Sequence, residues 1–295
     1  MLRVLIFLDD PGHQHLRTGG ESSWRIDSVS TVRDLLHACR EDRADALISG
    51  PPQLGATVSN GVRVSRQIAA NGGPPLVVFA PDTYQHLSYV IGLAVEGIRF
   101  EVAFWRVDGR TEGLRDAVRR AAISRLADRV ATAVLELAPS LSAKWRSIVQ
   151  NLFRRPADFI QTGHLVEPAG LTATALNHNL HTAGLRSFRV LRRASRVTSC
   201  YALQSRCSLS ASQAARRVGY GSIDALDRDV RKIASKATPG TIVEKYDEAA
   251  FLALVITHCL HHECDQLVVG RVLPPGGWTT QVERTSLVRR GSHDS

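Results

Sequence analysis

The chain has 295 residues, with 44% hydrophobic and 22% charged residues, values that are ordinary for a globular protein with room for two domains. No apolar run reaches the ~18–20 residues that span a bilayer, which argues against a membrane protein. Five cysteines without a CxxC pair argue against a disulfide framework and a zinc finger, so we expect no metal and no cofactor.

The first ~110 residues alternate strand-length apolar runs with helical patterns. The predicted strands are Leu2–Leu8, Trp24–Val29, Ala44–Ser49, Leu76–Phe79 and Phe100–Trp105, and the predicted helices are Thr31–Arg40, Gly61–Ala70 and Tyr84–Glu96. This alternation favours a parallel sheet covered on both faces, so we predict an α/β domain over residues 1–111. The opening apolar segment runs into Asp9-Asp10 and lacks the basic start of a secretory signal, so we expect a cytoplasmic protein.

A long helical pattern follows over Glu112–Leu137. Two interpretations stay open: a surface helix packed on the first domain, or a helix that links the domains and pairs two protomers, although a dimer seam would show a stricter heptad. We assign residues 112–140 to a connecting helix, which Ala138-Pro139-Ser140 would end. We then predict an all-α domain over residues 141–242, and a C-terminal helix with an irregular tail over residues 243–295.

The positive charge is concentrated in this second domain. The formal net charge is +9, yet residues 141–240 hold 16 Lys and Arg against 5 Asp and Glu, whereas the rest of the chain holds 21 against 23. A clustered basic region favours a polyanion as partner, because each phosphate that is neutralised releases counterions. The alternative is a basic surface that serves solubility.

The clearest motif is a helix-turn-helix pattern within residues 208–240. Gly219 stands where a tight turn needs a positive φ, and Ser222 is a good N-cap for the next helix. That helix would bury Leu226 and Val230, which are four residues apart.

This stretch resembles the AraC/XylS family of bacterial transcription activators. The residues that match the family's pattern in order are Ala215, Gly219, Tyr220, Ser222, Arg228, Thr238 and Pro239. Leu226 and Val230 stand where the family usually has Phe, and Ser235-Lys236-Ala237 replaces the usual Gly before Thr-Pro.

The family carries two such units joined by a helix, and a weaker upstream copy lies within Val166–Gly184. Ala169-Gly170-Leu171-Thr172 would supply its turn and N-cap, and Leu176 and Leu180 its buried face. Gly170 and Gly219 are 49 residues apart, in keeping with the family, and Arg196-Val197, Cys200 and Leu203 between them resemble its linker helix. The resemblance covers about residues 141–242.

The resemblance implies that the chain binds double-stranded DNA through two recognition helices in successive major grooves, ~34 Å apart. The expected base contacts are Thr172, Ala173, Thr174, Asn177 and His178 from the first helix and Ser222, Ile223, Asp224, Asp227 and Arg228 from the second. The expected phosphate contacts are Arg189, Arg192, Arg193, Arg216, Arg217, Arg231 and Lys232. RNA polymerase and a second copy of the chain are further candidate partners.

Three acidic residues complicate the second recognition helix. Asp224, Asp227 and Asp229 could accept hydrogen bonds from cytosine, but they repel phosphates. For Asp224 we favour the ordinary preference of acidic residues for a helix N-terminus.

The first domain resembles a response-regulator receiver, a flavodoxin-like fold, in its topology and in Asp9-Asp10 after the first strand. A receiver also needs an Asp after the third strand, a hydroxyl after the fourth and a Lys after the fifth, whereas this chain has Ile48-Ser49-Gly50, Phe79-Ala80 and Phe104-Trp105-Arg106. The resemblance therefore implies a degenerate receiver that is not phosphorylated in the usual way and serves dimerisation, partner docking or ligand sensing.

Two other functions remain as alternatives. An enzyme would place its ligand near Asp9, Asp10, Gly50 and Pro81-Asp82, but the chain has no recognisable nucleophile–base set, so we expect no catalytic residues. A regulator that has lost DNA binding is supported only by the three Asp.

A cluster near the C-terminus offers metal ligands. His258 and His262, with Cys259 or Glu263, could share an ion. We favour a plain amphipathic helix over Ala249–His262.

Overall fold

The computed structural model describes residues 2–9, 12, 16, 24–41, 44–105, 111–159, 167, 170 and 172–261. Several residues named above lie outside this part of the chain: Asp10, Arg106, Val166, Ala169, Leu171, His262 and Glu263.

The first part of the chain forms a sheet that confirms the predicted flavodoxin-like class. The described strands are β1 Arg3–Phe7, β2 Arg25–Ser28, β3 Ala46–Ser49, β4 Leu76–Pro81, β5 Phe100–Trp105 and β6 Thr111–Glu112. Their order is β2-β1-β3-β4-β5-β6, with β1 to β5 parallel and β6 antiparallel to β5. The order 2-1-3-4-5 is that of doubly wound flavodoxin-like folds. The two-residue β6 was not predicted, because so short a polar segment carries no apolar pattern.

Helices cover both faces of this sheet. They are α1 Val32–Arg40, α2 Pro51–Leu54, α3 Val58–Ala70, α4 Tyr84–Val95 and α5 Leu114–Glu136. Strand residues alternate between the faces: Leu5 and Leu47 pack in the cluster with α1, α3 and α4, whereas Ile6 and Ile48 pack in the cluster with α5. Helix α3 begins three residues before the predicted Gly61, because the Thr57 hydroxyl caps it by accepting from the Asn60 amide.

Helix α5 is shared by the sheet and the helical part of the chain. Leu114 and Val118 are buried in the cluster that contains the sheet residues, whereas Leu126, Val130 and Val134 are buried in the cluster of the later helices. Both halves of its apolar face are therefore used inside the chain, which argues against a dimer seam along this face.

The rest of the described chain is helical. Its helices are α6 Ala143–Arg154, α7 Ala173–Thr182, α8 Phe188–Cys207, α9 Ala211–Arg217, α10 Ile223–Ile233, α11 Ile242–Lys245 and α12 Glu248–Cys259. Helix α8 is central and contacts each of the others in this set as well as α5. Among the described helices, none is both long and apolar enough to cross a membrane.

Candidate nucleic-acid interface

The predicted second helix-turn-helix is formed by α9 and α10. Helix α9 ends in a Schellman turn, in which the Gly219 amide donates to the Arg216 carbonyl (3.1 Å) and the Tyr220 amide donates to the Ala215 carbonyl (2.9 Å). Gly219 has φ +79°, as the sequence predicted. Ser222 then caps α10, since its hydroxyl accepts from the Ala225 amide at 3.2 Å.

Helix α7 has the same local design as α10. The Thr172 hydroxyl caps it by accepting from the Ala175 amide (3.1 Å), and Gly170 just before it has φ +65°. Leu176 and Leu180 form its buried face, as Leu226 and Val230 do in α10, so the predicted buried positions of both helices are confirmed. Most of the segment that should supply the first helix of this unit lies outside the described residues.

The first turns of α7 and α10 are exposed. The predicted base-contact residues that are exposed are Thr172, Ala173, Thr174 and His178 on the first unit and Ser222, Ile223, Asp224 and Arg228 on the second. Ile223 is a large apolar side chain that is 39% exposed. Such a residue can contact a thymine methyl group if the helix enters a major groove.

Asn177 differs from its neighbours because both of its polar groups are engaged within the chain. Its side-chain oxygen accepts from the Phe188 amide at the start of α8 (2.9 Å), and its side-chain nitrogen donates to the Ala173 carbonyl (3.2 Å). This arrangement argues against the predicted adenine contact and makes Asn177 a structural link between α7 and α8. Sequence alone did not indicate it, because the partner is eleven residues away.

A polar network joins α8 to the second helix-turn-helix. Asp229 accepts from Arg193 Nε (2.9 Å) and from the Tyr220 hydroxyl (3.1 Å). Arg196 donates to the Gly219 carbonyl (2.7 Å), and its guanidinium carbon lies 3.6 Å from the centre of the Tyr220 ring. Burial raises the pKa of Tyr220, and the neighbouring Asp229 carboxylate raises it further, so the phenol stays a hydrogen-bond donor.

This network corrects one predicted phosphate contact. The Arg193 side chain is only 12% exposed and is paired with Asp229, so it is poorly placed to meet a phosphate. Two further cations on the predicted list are exposed and have acidic partners: Arg231 pairs with Asp227 at 2.7 Å, and Arg217 pairs with Asp116 of α5 at 3.1 Å. Exposed pairs of this kind are weak and can exchange for a phosphate.

A cleft of about 310 Å³ lies between α8 and α10. Among the described residues, six cations and one carboxylate line it: Arg189, Arg192, Arg193, Arg196, Arg228, Lys232 and Asp229. The pKa of Arg192 lies below its ordinary value because of burial first and then the positive charge of Arg196. Arg196 was not among the predicted contacts, although the spacing of positions 189, 192, 193 and 196 indicates one face of a helix.

Two polar residues lie at the carboxyl ends of β1 and β3 among the described residues of the first domain. Asp9 Oδ1 accepts from the Gly12 amide (2.9 Å), and Ser49 at the end of β3 is buried. Gly50 follows β3, and α2 begins directly after it at Pro51. The expectation that the domain is not phosphorylated in the usual way stays a prediction.

The C-terminal histidine cluster is only partly described. Burial, followed by the charge of Arg193, lowers the pKa of His258 to about 4, and Cys259 is fully buried. Within the described residues, no group of three or more His, Cys, Asp or Glu could hold a metal ion.

Comparisons with known proteins add little to this description. No protein-family model matches the sequence. No curated protein matches it. Among solved structures, the chain is similar to full-length FixJ from B. japonicum, at 15% identity and a TM-score of 0.32, over 74% of this chain and 97% of that one. A similarity this low carries no argument about function.

Proposed function

We propose that this chain is a sequence-specific DNA-binding transcription regulator in which α7 and α10 enter successive major grooves. One observation carries the proposal: two helices of similar design, each capped by a hydroxyl and buried along one face, are joined by the continuous helix α8. In both, the first turn is exposed, and this is the part of a recognition helix that meets base edges.

The order recognition helix, linker helix, helix, turn, recognition helix supports the resemblance to the AraC/XylS family. The hydrogen bond between Arg193 of α8 and Asp229 fixes α10 against α8, the helix that corresponds to the family's linker. Asn177 connects α7 to the start of α8. Both proposed recognition helices, α7 and α10, are therefore held by α8.

The structure weakens the alternative of a regulator that has lost DNA binding. That alternative rested on three acidic residues of α10, but Asp227 is paired with Arg231 and Asp229 with Arg193. Asp224 has no such pair among the described residues. Its place in the first turn of α10 suits the helix dipole, so its presence does not argue against DNA binding.

In this proposal the first domain serves signal input or dimerisation in a cytoplasmic, non-enzymatic protein, and RNA polymerase is a candidate partner of the bound complex. Helix α4 carries the exposed apolar residues Tyr84, Leu87, Ile91 and Val95, which would suit contact with another protein surface.

The proposal is tested by selecting duplexes from a random pool with the full chain and sequencing those retained. We expect a bipartite motif with half-sites about 10 base pairs apart. Thr174→Ala should relax one half-site and Ile223→Ala the other, whereas Arg33→Ala on α1 should change neither. Retention of duplexes without any enriched sequence would contradict the proposal.

A further inference from the structure

The cleft between α8 and α10, called here the arginine cleft, carries more positive than negative charge among its described lining residues. Among its described lining residues, six cations face the single carboxylate of Asp229. Both oxygens of that carboxylate already accept hydrogen bonds, from Arg193 and from Tyr220. Cations held this close repel one another, so an anion in the cleft would stabilise the arrangement.

Five of the six cations divide into an inner and an outer set, and the sixth, Arg192, is half-buried. Arg193 and Arg196 form the inner wall, where they are fixed by Asp229 and Tyr220. Arg189, Arg228 and Lys232 are exposed at the rim. The inner pair therefore maintains the shape and the positive potential of the cleft, while the rim residues can close on a ligand.

The size and surface of the arginine cleft suit a phosphate group. Its volume of about 310 Å³ is several times the ~30 Å³ that a water molecule occupies in the liquid. A side-chain atom added at Gly221, on the rim, would meet nothing within 4 Å. Planar guanidinium groups bind the oxygens of a phosphate in pairs.

We propose that the arginine cleft seats a backbone phosphate of the DNA strand that borders the groove entered by α10. This inference rests on the proposed DNA-binding function. The cleft is bordered by the turn before α10 and by the side of α10 that carries Ala225, Arg228 and Lys232, so a strand bordering the groove that the first turn enters passes its mouth. Arg228 then contacts the backbone together with Arg189, rather than a base.

The test measures the affinity of the full chain for a random-sequence duplex at several salt concentrations. Arg189→Ala and Lys232→Ala should each weaken binding and reduce the slope of log affinity against log salt by about 1. Arg33→Ala removes one exposed charge outside the cleft and should keep the wild-type slope. Circular dichroism of each variant checks that the fold is retained.

The outcomes separate this inference from the proposed function. If the wild type binds duplexes but both cleft variants keep its salt slope, the phosphate seat is wrong while DNA binding stands. If the wild type binds no duplex, the proposed function fails and the phosphate seat fails with it.

A calorimetric titration with inorganic pyrophosphate tests the other source of phosphate, a small phosphorylated compound. If Arg189→Ala abolishes pyrophosphate binding but leaves the salt slope of DNA binding unchanged, the cleft binds such a compound and the backbone assignment is overturned.

Discussion

Single residues set the geometry of the turn in the second helix-turn-helix. At Gly219, with φ +79°, a side chain is strained whatever the space around it. We expect Gly219→Ala to lower the free energy of unfolding by about 1 kcal/mol, as for other residues forced into the left-handed region. Gly221→Ala is the matched control, since a Cβ there meets nothing within 4 Å. Urea unfolding of both variants measures the difference, and equal stabilities would contradict the strain argument.

Asn177 offers a test that separates structure from recognition. Asn177→Ala leaves the Phe188 amide without its acceptor, and an unsatisfied donor costs about 1–3 kcal/mol when buried. We expect lower stability in urea but an unchanged DNA motif in the selection experiment. His178→Ala, at the next and exposed position, should leave stability unchanged. A changed base preference in the Asn177 variant would restore the original prediction of a base contact.

At the residue scale, the sequence predicted the turns and helix caps, which depend on residues close in the chain. Gly219, Ser222 and Thr172 were found because turns and caps are local. The partners of Asn177 and Asp229 were missed, because Phe188 and Arg193 lie 11 and 36 positions away and the contacts exist only after the helices pack.

Between elements, the Asp229 network holds α10 against α8. Asp229→Asn removes the charge that pairs with the nearly buried Arg193, and we expect a loss of about 1–3 kcal/mol, below the value for a fully buried pair because Asp229 is partly exposed. Asp227→Asn alters a pair on the same helix whose arginine, Arg231, is 62% exposed, and it should cost about 0.5 kcal/mol or less. Equal losses in chemical denaturation would mean that the network does not fix α10.

His258 of helix α12 makes the free energy of unfolding depend on pH. Burial first, and then the charges of Arg193, Arg186 and Lys232, lower the pKa of His258 to about 4 in the folded chain, against an ordinary value of 6.5, although the carboxylate of Asp229 opposes this shift. Between these values the unfolded chain binds a proton that the folded chain does not, so this contribution to stability is lost as the pH falls through that window. The wild type should therefore lose more stability between pH 7 and pH 5 than His258→Gln. Parallel losses in the two proteins would contradict this reasoning.

The elements were predictable where apolar periodicity is strong. Five strands and the helices α1, α3, α4 and α5 follow from it within a few residues. The short helix α2 was not predicted, because Pro51-Pro52 after Gly50 is typical of a turn as well as of a helix start. The arginine cleft was not predicted, because it arises only when α8 and α10 lie side by side.

At the scale of the whole molecule, the first domain contacts the helical part of the chain through charged pairs. Arg206 of α8 bridges Asp45, next to β3, and Glu248 of α12, and the side chains of Arg206 and Asp45 are nearly buried. On the surface, Asp116 of α5 holds Arg217, one of the proposed phosphate contacts, at 3.1 Å.

In the proposed DNA complex, Asp116 would compete with a phosphate for Arg217. We expect Asp116→Asn to strengthen binding to a random-sequence duplex and to steepen its salt dependence, because the released Arg217 is then available to a phosphate. The double variant Asp116→Asn with Arg217→Ala should lose this gain. Unchanged affinity in the single variant would show that Arg217 does not reach the backbone.

The proposed function requires that α7 and α10, both held by α8, enter two successive major grooves at a fixed spacing. The most direct test compares the affinity of the full chain for the selected duplex with its affinity for the same duplex carrying five extra base pairs between the half-sites. Half a turn of DNA moves one half-site to the opposite side, so α7 and α10 cannot both be in register, and we predict a loss of at least about tenfold, or 1.4 kcal/mol. Equal affinity for the two duplexes would contradict the account.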